Sequence, residues 1–293
     1  MTPGHATQQL VARVRLARSL GMAARRRRVP RARLPLLIES DYAGRLVGII
    51  DRMRSASGRL VTALPALLRT DAATLRLDDS KAQRARRTVE HVREEIGQAF
   101  NPTQFEALAD SFGQRVSAHQ RAELVRQGRA ALGVDVVLLD PKVPTVIDGF
   151  VHENVALIKS LQGRTLDQLE ALITRAVSSG TRAEVVAAEI AERFDIAERH
   201  ARLIARDQIA RLNSQIAMTR HAELGISRFY WRSMRDPRVR PQHQVLDNDQ
   251  PYSYAEPPAE GFPGNCRTRA GIGCRCYPDP VFDDLLAAAD EAA

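Results

Sequence analysis

The chain contains few aromatic residues, few cysteines and no long apolar run. Aromatics make up 5% of its 293 residues, so a core must consist mainly of Leu, Val, Ile and Ala. This composition favours helices and disfavours an all-β fold. Hydrophobic residues at 44% and charged residues at 27% exclude a mainly disordered chain. No stretch approaches the ~20 consecutive apolar residues that span a bilayer, so we expect no membrane partner.

Lysine is also scarce, whereas arginine is abundant and unevenly distributed. Three of the 43 basic residues are lysines, and residues 1–70 hold 14 arginines against three acidic residues. This local charge of +11 within a chain of net charge +8 is typical of an end that meets a polyanion. We predict a basic N-terminal arm, residues 1–33, whose DNA contacts are Arg25, Arg26, Arg27, Arg28, Arg31 and Arg33. A solvated arm and a mitochondrial transit peptide share this composition.

Helical periodicity continues behind this arm. Apolar spacing predicts a helical region over residues 34–145, in which Pro65 breaks the stretch Leu60 to Leu68. The short apolar run Val134 to Leu139 is a candidate strand or buried linker. Two proline-containing pairs, Asp140-Pro141 and Val143-Pro144, then interrupt regular structure. We therefore place a domain boundary near residue 145.

A helix bundle is predicted after this boundary. Thr165-x-x-Gln168 and Thr181-x-x-Glu184 resemble capping boxes, so separate helices should begin at Leu166 and Arg182. A further helix, Ala197 to Leu224, should end at Gly225 in a C-cap position.

The helical spacing of apolar residues ends at Gly225. Aromatic residues predict a strand over Ile226 to Ser233, and the segments Val245-Leu246 and Tyr252 to Tyr254 predict a β-hairpin around Asp247-Asn248-Asp249. Asp283 to Ala292 reads as a short acidic helix. The expected fold is therefore mainly α with a small C-terminal α+β part. It consists of a helical N-terminal region, a helix bundle, and a small β-hairpin and loop-rich module at residues 226–282 that contains the cysteines.

The three cysteines lie together in this module, and their odd number suits a reducing compartment. With His243, the residues Cys266, Cys274 and Cys276 form a Cys3His set that suits tetrahedral Zn²⁺, the one candidate cofactor. The spacing Cys274-x-Cys276 differs from the usual two-residue zinc knuckle. We therefore favour reduced thiols pinned against the strand, with His243 bonded to a carboxylate, and keep zinc as the alternative.

An ordered set of short motifs spans the same module. An aromatic strand ending in Trp231 precedes the run from Asp236 to Asp247, and Cys274-Arg275-Cys276 follows it. This order resembles the head-morphogenesis family of tailed bacteriophages, typified by phage Mu protein F. The resemblance implies structural roles for Trp231, Asp236, Arg238, His243, Leu246, Asp247, Cys274, Arg275 and Cys276. It extends upstream to about residue 148, so we assign residues 146–293 to this domain.

Departures from the family pattern concern the metal set. Many relatives carry Cys-x-x-Cys before the Leu-Asp pair, and here Arg240 and His243 occupy those positions. One thiolate position is thereby lost. Asn248 replaces the usual Gly after Leu246-Asp247, and Asn tolerates the positive φ of a turn.

The resemblance implies a minor capsid protein without catalytic activity, present in low copy near the portal of a tailed bacteriophage. Such a protein acts in procapsid assembly inside the head, after synthesis in the host cytoplasm. Its expected partners are the portal protein, the major capsid protein and phage DNA. Non-specific phosphate contacts would serve DNA packaging or ejection.

Two other classes of protein fit parts of the sequence. A metal-dependent nuclease would use His243 as base, Asp247 to orient it, and a metal held by the cysteines. No second carboxylate cluster supports this reading. A sequence-independent DNA-binding protein unrelated to capsids would use the N-terminal arm alone.

Overall fold

A computed structural model describes residues 4–20, 29–68, 78–99, 102–266 and 273–291. The predicted fold class is confirmed, because long helices are followed by a small C-terminal sheet. The helices are α1 (His5–Ser19), α2 (Leu36–Ala56), α3 (Gly58–Leu68), α4 (Asp78–Ala99), α5 (Pro102–Leu132), α6 (Val143–Ser179), α7 (Ala183–Glu223), α8 (Pro241–Leu246) and α9 (Asp283–Glu291). The strands are β1 (Arg228–Arg232), β2 (Pro251–Ser253), β3 (Gly261–Phe262), β4 (Asn265–Cys266) and β5 (Tyr277–Pro280). Within the described ranges, no helix combines the length and apolarity needed to cross a membrane.

The chain divides into two compact units that differ from the sequential division into 1–33, 34–145 and 146–293. The terminal unit contains Met1–Glu39, Asp110–Val151 and Arg206–Ala293, and the middle unit contains Ser40–Ala109 and His152–Ala205. Four helices, α2, α5, α6 and α7, each contribute residues to both units. These helices continue through the points of division, so neither unit is one continuous segment of the chain.

The middle unit contains the buried apolar face of α2, which includes Leu46, Ile50 and Met53. The buried Tyr42 hydroxyl donates a 2.8 Å hydrogen bond to Asn154 Oδ1. The predicted break at Pro65 is wrong, since this proline lies exposed inside α3. Burial of Leu60, Leu64 and Leu67 on the opposite side offsets the backbone hydrogen bond that proline cannot donate.

Two predicted helix starts lie inside longer helices. Thr165 does not cap a helix, because its Oγ1 donates 2.8 Å to the Leu161 carbonyl within α6. The predicted break before Ala197 is absent from α7, in which Val186, Ile190, Phe194 and Ala197 form one buried stripe. The apolar period thus continues through both positions and keeps the backbone helical.

The terminal unit packs α1 against α9. Leu10 and Val14 of α1 are buried beside Leu285 and Ala289 of α9. The Arg15 guanidinium donates to the Ala289 carbonyl at 3.3 Å, near the end of α9. The predicted acidic helix is therefore present, and it buries one face of the N-terminal helix.

Residues 134–139 form neither helix nor strand, so this run is a linker. Val136 and Leu138 are buried, while Val137 and Leu139 are exposed. Burial of alternate side chains anchors the linker against the core.

A three-stranded antiparallel sheet forms around the predicted aromatic strand, in the order β2-β1-β5. Phe229 lies opposite Tyr252 of β2, and Trp231 lies opposite Pro278 of β5. Strands β3 and β4 form a separate antiparallel pair. Gly225 precedes this region with φ +73°, and the Ile226 N–H donates 2.9 Å to the His221 carbonyl, which closes α7 as predicted.

The predicted β-hairpin around residues 247–249 is wrong. Val245 and Leu246 end the short helix α8, and β2 pairs with β1 instead. Pro241 occupies the first turn of α8, a position where its fixed φ and missing N–H favour helix.

Candidate functional site: the cysteine module

Strand β1 organises the cysteine module, by which we mean the described residues 226–266 and 273–282. Its inward side chains, Phe229 and Trp231, are fully buried, and the Cys274 and Cys276 side chains pack against them. Tyr254 extends this apolar layer, with its ring centroid 4.7 Å from that of Phe229. Because alternate side chains of a strand point to the same face, Phe229 and Trp231 together form an aromatic surface against which the thiols pack.

The structure brings together the four residues that the sequence suggested as zinc ligands. The Nδ1 atom of buried His243, on α8, lies 3.5 Å from Cys274 Sγ and 3.6 Å from Cys276 Sγ. Cys266 Sγ, on β4, lies 3.7 Å from Cys274 Sγ and 3.8 Å from His243 Nε2. All three cysteines are free of disulfides. Three thiols and an imidazole are a donor set that suits a soft divalent cation such as Zn²⁺.

Hydrogen bonds among the three thiols shift their pKa values in opposite directions. Hydrogen bonds from Cys266 and Cys276 lower the pKa of the Cys274 thiol. The hydrogen bond to Cys274, reinforced by burial, raises the pKa of Cys266 and of Cys276. Among the three thiols, Cys274 therefore ionises most readily, and the thiolate is the form in which cysteine ligates metals.

The hydrogen bond from His243 to a carboxylate, which the sequence favoured over zinc, is not formed. Its nearest carboxylate oxygen, Glu260 Oε2, lies 3.8 Å from Nε2. This separation exceeds a hydrogen-bond distance.

Asp236 fixes the loop behind β1 through an arginine distant in the chain. Both of its carboxylate oxygens accept from Arg275 Nη2, at 2.7 and 2.5 Å, and one also accepts from the Arg238 backbone N–H at 3.0 Å. The hydrogen bond from Arg275 lowers the pKa of Asp236. Asp236 and Arg275 therefore form an Asp–Arg contact between two motifs, in which Arg238 takes part through its backbone.

Asp247 lies at the centre of an arginine network. Its side chain is 3% exposed and accepts from Arg235 at 2.9 and 3.1 Å and from the Ser233 N–H and Oγ at 3.2 and 3.0 Å. Arg31 and Arg232 approach the same carboxylate at 3.3 and 3.4 Å. Burial opposes ionisation, yet the hydrogen bonds from Arg235 and Ser233 hold the pKa of Asp247 well below its usual range.

The pairing required by a nuclease is not present in these contacts. His243 faces sulfur atoms, whereas the oxygens of Asp247 are occupied by arginines and Ser233. The described contacts of Asp247 do not include His243. Asp247 is therefore placed to lock the loop onto β1 and not to orient the imidazole.

The predicted DNA contacts fall into three groups. Arg25, Arg26, Arg27 and Arg28 lie outside the described residues. Arg31 places its guanidinium on Asp247, 3.3 Å away. Arg33 has an exposed side chain, and its backbone N–H donates 2.9 Å to Glu123.

Arg220 is a buried arginine that sequence reasoning missed. Its fully buried guanidinium holds Asp140 through two hydrogen bonds of 2.8 and 2.9 Å and also donates to the Ser117 carbonyl at 2.8 Å. The signal was present, because Arg220 stands four residues from both Ile216 and Leu224 on the apolar face of α7. A charge at such a position indicates a buried ion pair.

The fold and the site define a mainly helical protein with a C-terminal Cys/His module fixed by buried ion pairs. Residues 167–278 match the family described as Phage Mu protein F like protein, which confirms the resemblance seen in the sequence. This match indicates phage head morphogenesis.

A curated protein of Haemophilus influenzae (strain ATCC 51907 / DSM 11121 / KW20 / Rd), described as uncharacterized, is 30% identical over 214 residues. The alignment covers 71% of this chain and 46% of that protein. The chain thus spans about half the length of this relative. No solved structure matches the chain.

Proposed function

We propose that the chain is a minor head protein of a tailed bacteriophage, incorporated in low copy near the portal and required for procapsid assembly. The observation that carries this proposal is the match of residues 167–278 to the Mu F-like family. The geometry of the matched region supports a structural role. Asp247, which the nuclease alternative would need free to orient His243, is engaged by arginines.

The same proposal covers location and partners. The protein is made in the host cytoplasm and enters the interior of the head, where the portal protein or the major capsid protein binds it. Phage DNA is a further partner, contacted through phosphates without sequence preference. The charge of +11 over residues 1–70 supports this contact. Because Arg31 is paired with Asp247, we assign the contact chiefly to residues 25–28.

Deleting residues 1–33 would be a poor test of these roles. Leu10 and Val14 are buried against α9, so the deletion removes part of the core. Replacing the four arginines at residues 25–28 by glutamine changes the charge and leaves α1 in place.

Incorporation into particles is the test. The phage is grown with the wild-type chain or with the quadruple glutamine variant, and purified particles are assayed for the protein and for packaged DNA. We expect both chains to enter particles equally, and the variant particles to retain less DNA. Absence of the wild-type chain from the particles would overturn the proposal and favour a DNA-binding protein unrelated to capsids.

A further inference from the structure

We propose that Cys266, Cys274, Cys276 and His243 bind one Zn²⁺ ion, with His243 ligating through Nδ1. The inference does not depend on the proposed function, because it rests on the geometry of these four side chains. It reverses the preference that the cysteine spacing alone suggested.

Three of the six distances between donor atoms match a tetrahedral site, and Cys276 joins the group through its 3.6 Å contact with His243 Nδ1. With Zn–S bonds of about 2.3 Å and a Zn–N bond of about 2.0 Å, two sulfurs should be about 3.8 Å apart and a sulfur and a nitrogen about 3.5 Å apart. The Cys266–Cys274 separation is 3.7 Å, and His243 Nδ1 lies 3.5 and 3.6 Å from the sulfurs of Cys274 and Cys276. One donor atom each from His243, Cys266 and Cys274 lies within 4.8 Å of the other two.

One unsatisfied carboxylate oxygen beside the cluster supports the site independently. In the described part of the chain, Glu260 Oε2 is buried without a hydrogen-bond partner. Glu260 Oε2 faces His243 Nε2, 3.8 Å away. If Nδ1 binds the metal, Nε2 carries the ring proton, and a shift of about 1 Å would bring Glu260 into the outer-partner position that carboxylates take beside ligating histidines. The indole ring of Trp231 lies edge-on to His243, with centroids 5.3 Å apart, and fixes the plane of the imidazole.

The ion would join three separate segments of the module. His243 comes from α8, Cys266 from β4, and Cys274 and Cys276 from the segment that leads into β5. These elements are short, so they bury little apolar surface of their own and gain stability from a shared ligand. Four protein donors also leave no position for water or substrate. The site is therefore of the closed, structural kind and does not supply metal catalysis.

Metal content of the purified full-length chain is the first test. We expect about one zinc per chain by inductively coupled plasma mass spectrometry, and a loss of at least about fivefold in Cys274→Ser and in His243→Ala. The matched control is His152→Ala, which removes an exposed histidine of α6 and should keep the zinc. Less than about one zinc per ten chains, after incubation with zinc under reducing conditions, would overturn the proposal.

The wild-type chain provides a second test, which does not require the variants to fold. X-ray absorption at the zinc edge should show three sulfur ligands at about 2.3 Å and one nitrogen at about 2.0 Å. A shell of oxygen and nitrogen alone would mean that zinc binds elsewhere, and would refute the assignment. Thiol titration should agree, with the three cysteines protected until a chelator is added.

Discussion

Replacing Asp247 by Asn tests whether the Leu-Asp motif is a structural lock. The side chain is 3% exposed, and Arg31, Arg232 and Arg235 all reach it. Asn keeps the shape but removes the charge, so Arg235 loses the carboxylate it pairs with, while Arg31 and Arg232 keep their contacts with Asp249. Breaking a buried ion pair from one side costs about 3–5 kcal/mol. Because Asn retains one acceptor oxygen, we expect about 3 kcal/mol, equivalent to roughly 6–12 °C in Tm.

Urea unfolding followed by tryptophan fluorescence measures this loss. Trp231 is the single tryptophan of the chain, and it is buried in β1 beside the affected loop. The matched control is Asp135→Asn, which removes an equally bidentate but exposed pair with Arg129. This control should leave the midpoint unchanged. Equal midpoints for Asp247→Asn and Asp135→Asn would refute the lock.

The difference in free energy of unfolding between wild type and Asp247→Asn should depend on pH, and the direction follows from the pKa of Asp247. Because the folded state holds the pKa of Asp247 below its usual value of 3.8, ionisation stabilises the fold at higher pH. This stability is present above the unfolded pKa and is lost as pH falls through the folded pKa. The gap between wild type and Asp247→Asn should therefore shrink below about pH 4. A gap that is constant down to pH 2 would contradict this origin.

Three further predictions concern other parts of the chain. Arg220→Met should cost about 3 kcal/mol in urea unfolding, because it removes the buried guanidinium that holds half-buried Asp140, which then keeps its contact with Arg121. A loss under about 0.5 kcal/mol would contradict the ion pair. Gly225→Ala should cost about 2 kcal/mol of unfolding free energy, because φ is +73° and the new Cβ would lie 2.8 Å from Thr7 Cγ2. The control Gly149→Ala should not destabilise the fold, because its Cβ would meet no atom within 4 Å. Substituting the four arginines of residues 25–28 by Gln should make binding to duplex DNA less sensitive to salt. The slope of log K against log salt concentration should fall in magnitude by up to ~3.6, and an unchanged slope would show that these arginines do not contact DNA.

Local signals in the sequence located several elements correctly. The aromatic run predicted β1, the acidic tail predicted α9, and Gly225 predicted the end of α7. Each depends on residues within a few positions, which set strand preference or allow a positive φ. The sequence also selected the four residues of the Cys/His cluster, which the structure brings together. Their binding of zinc stays a proposal.

Contacts between distant residues could not be derived from local patterns. Asp236 and Arg275 are 39 positions apart, and Arg220 and Asp140 are 80 apart, so nothing near either residue identifies its partner. Thr165 shows the related failure of a local motif, because its capping pattern lies inside a helix whose buried face continues past it. Tertiary packing decided these cases over local preference.

Membership of the particle is the central claim, and quantitative mass spectrometry tests it most directly. The protein is measured in purified DNA-filled particles and in empty procapsids, and is scaled to the major capsid protein. The account predicts the same small copy number in both, because a portal-proximal head protein enters before the DNA. Absence of the protein from both kinds of particle would contradict the account.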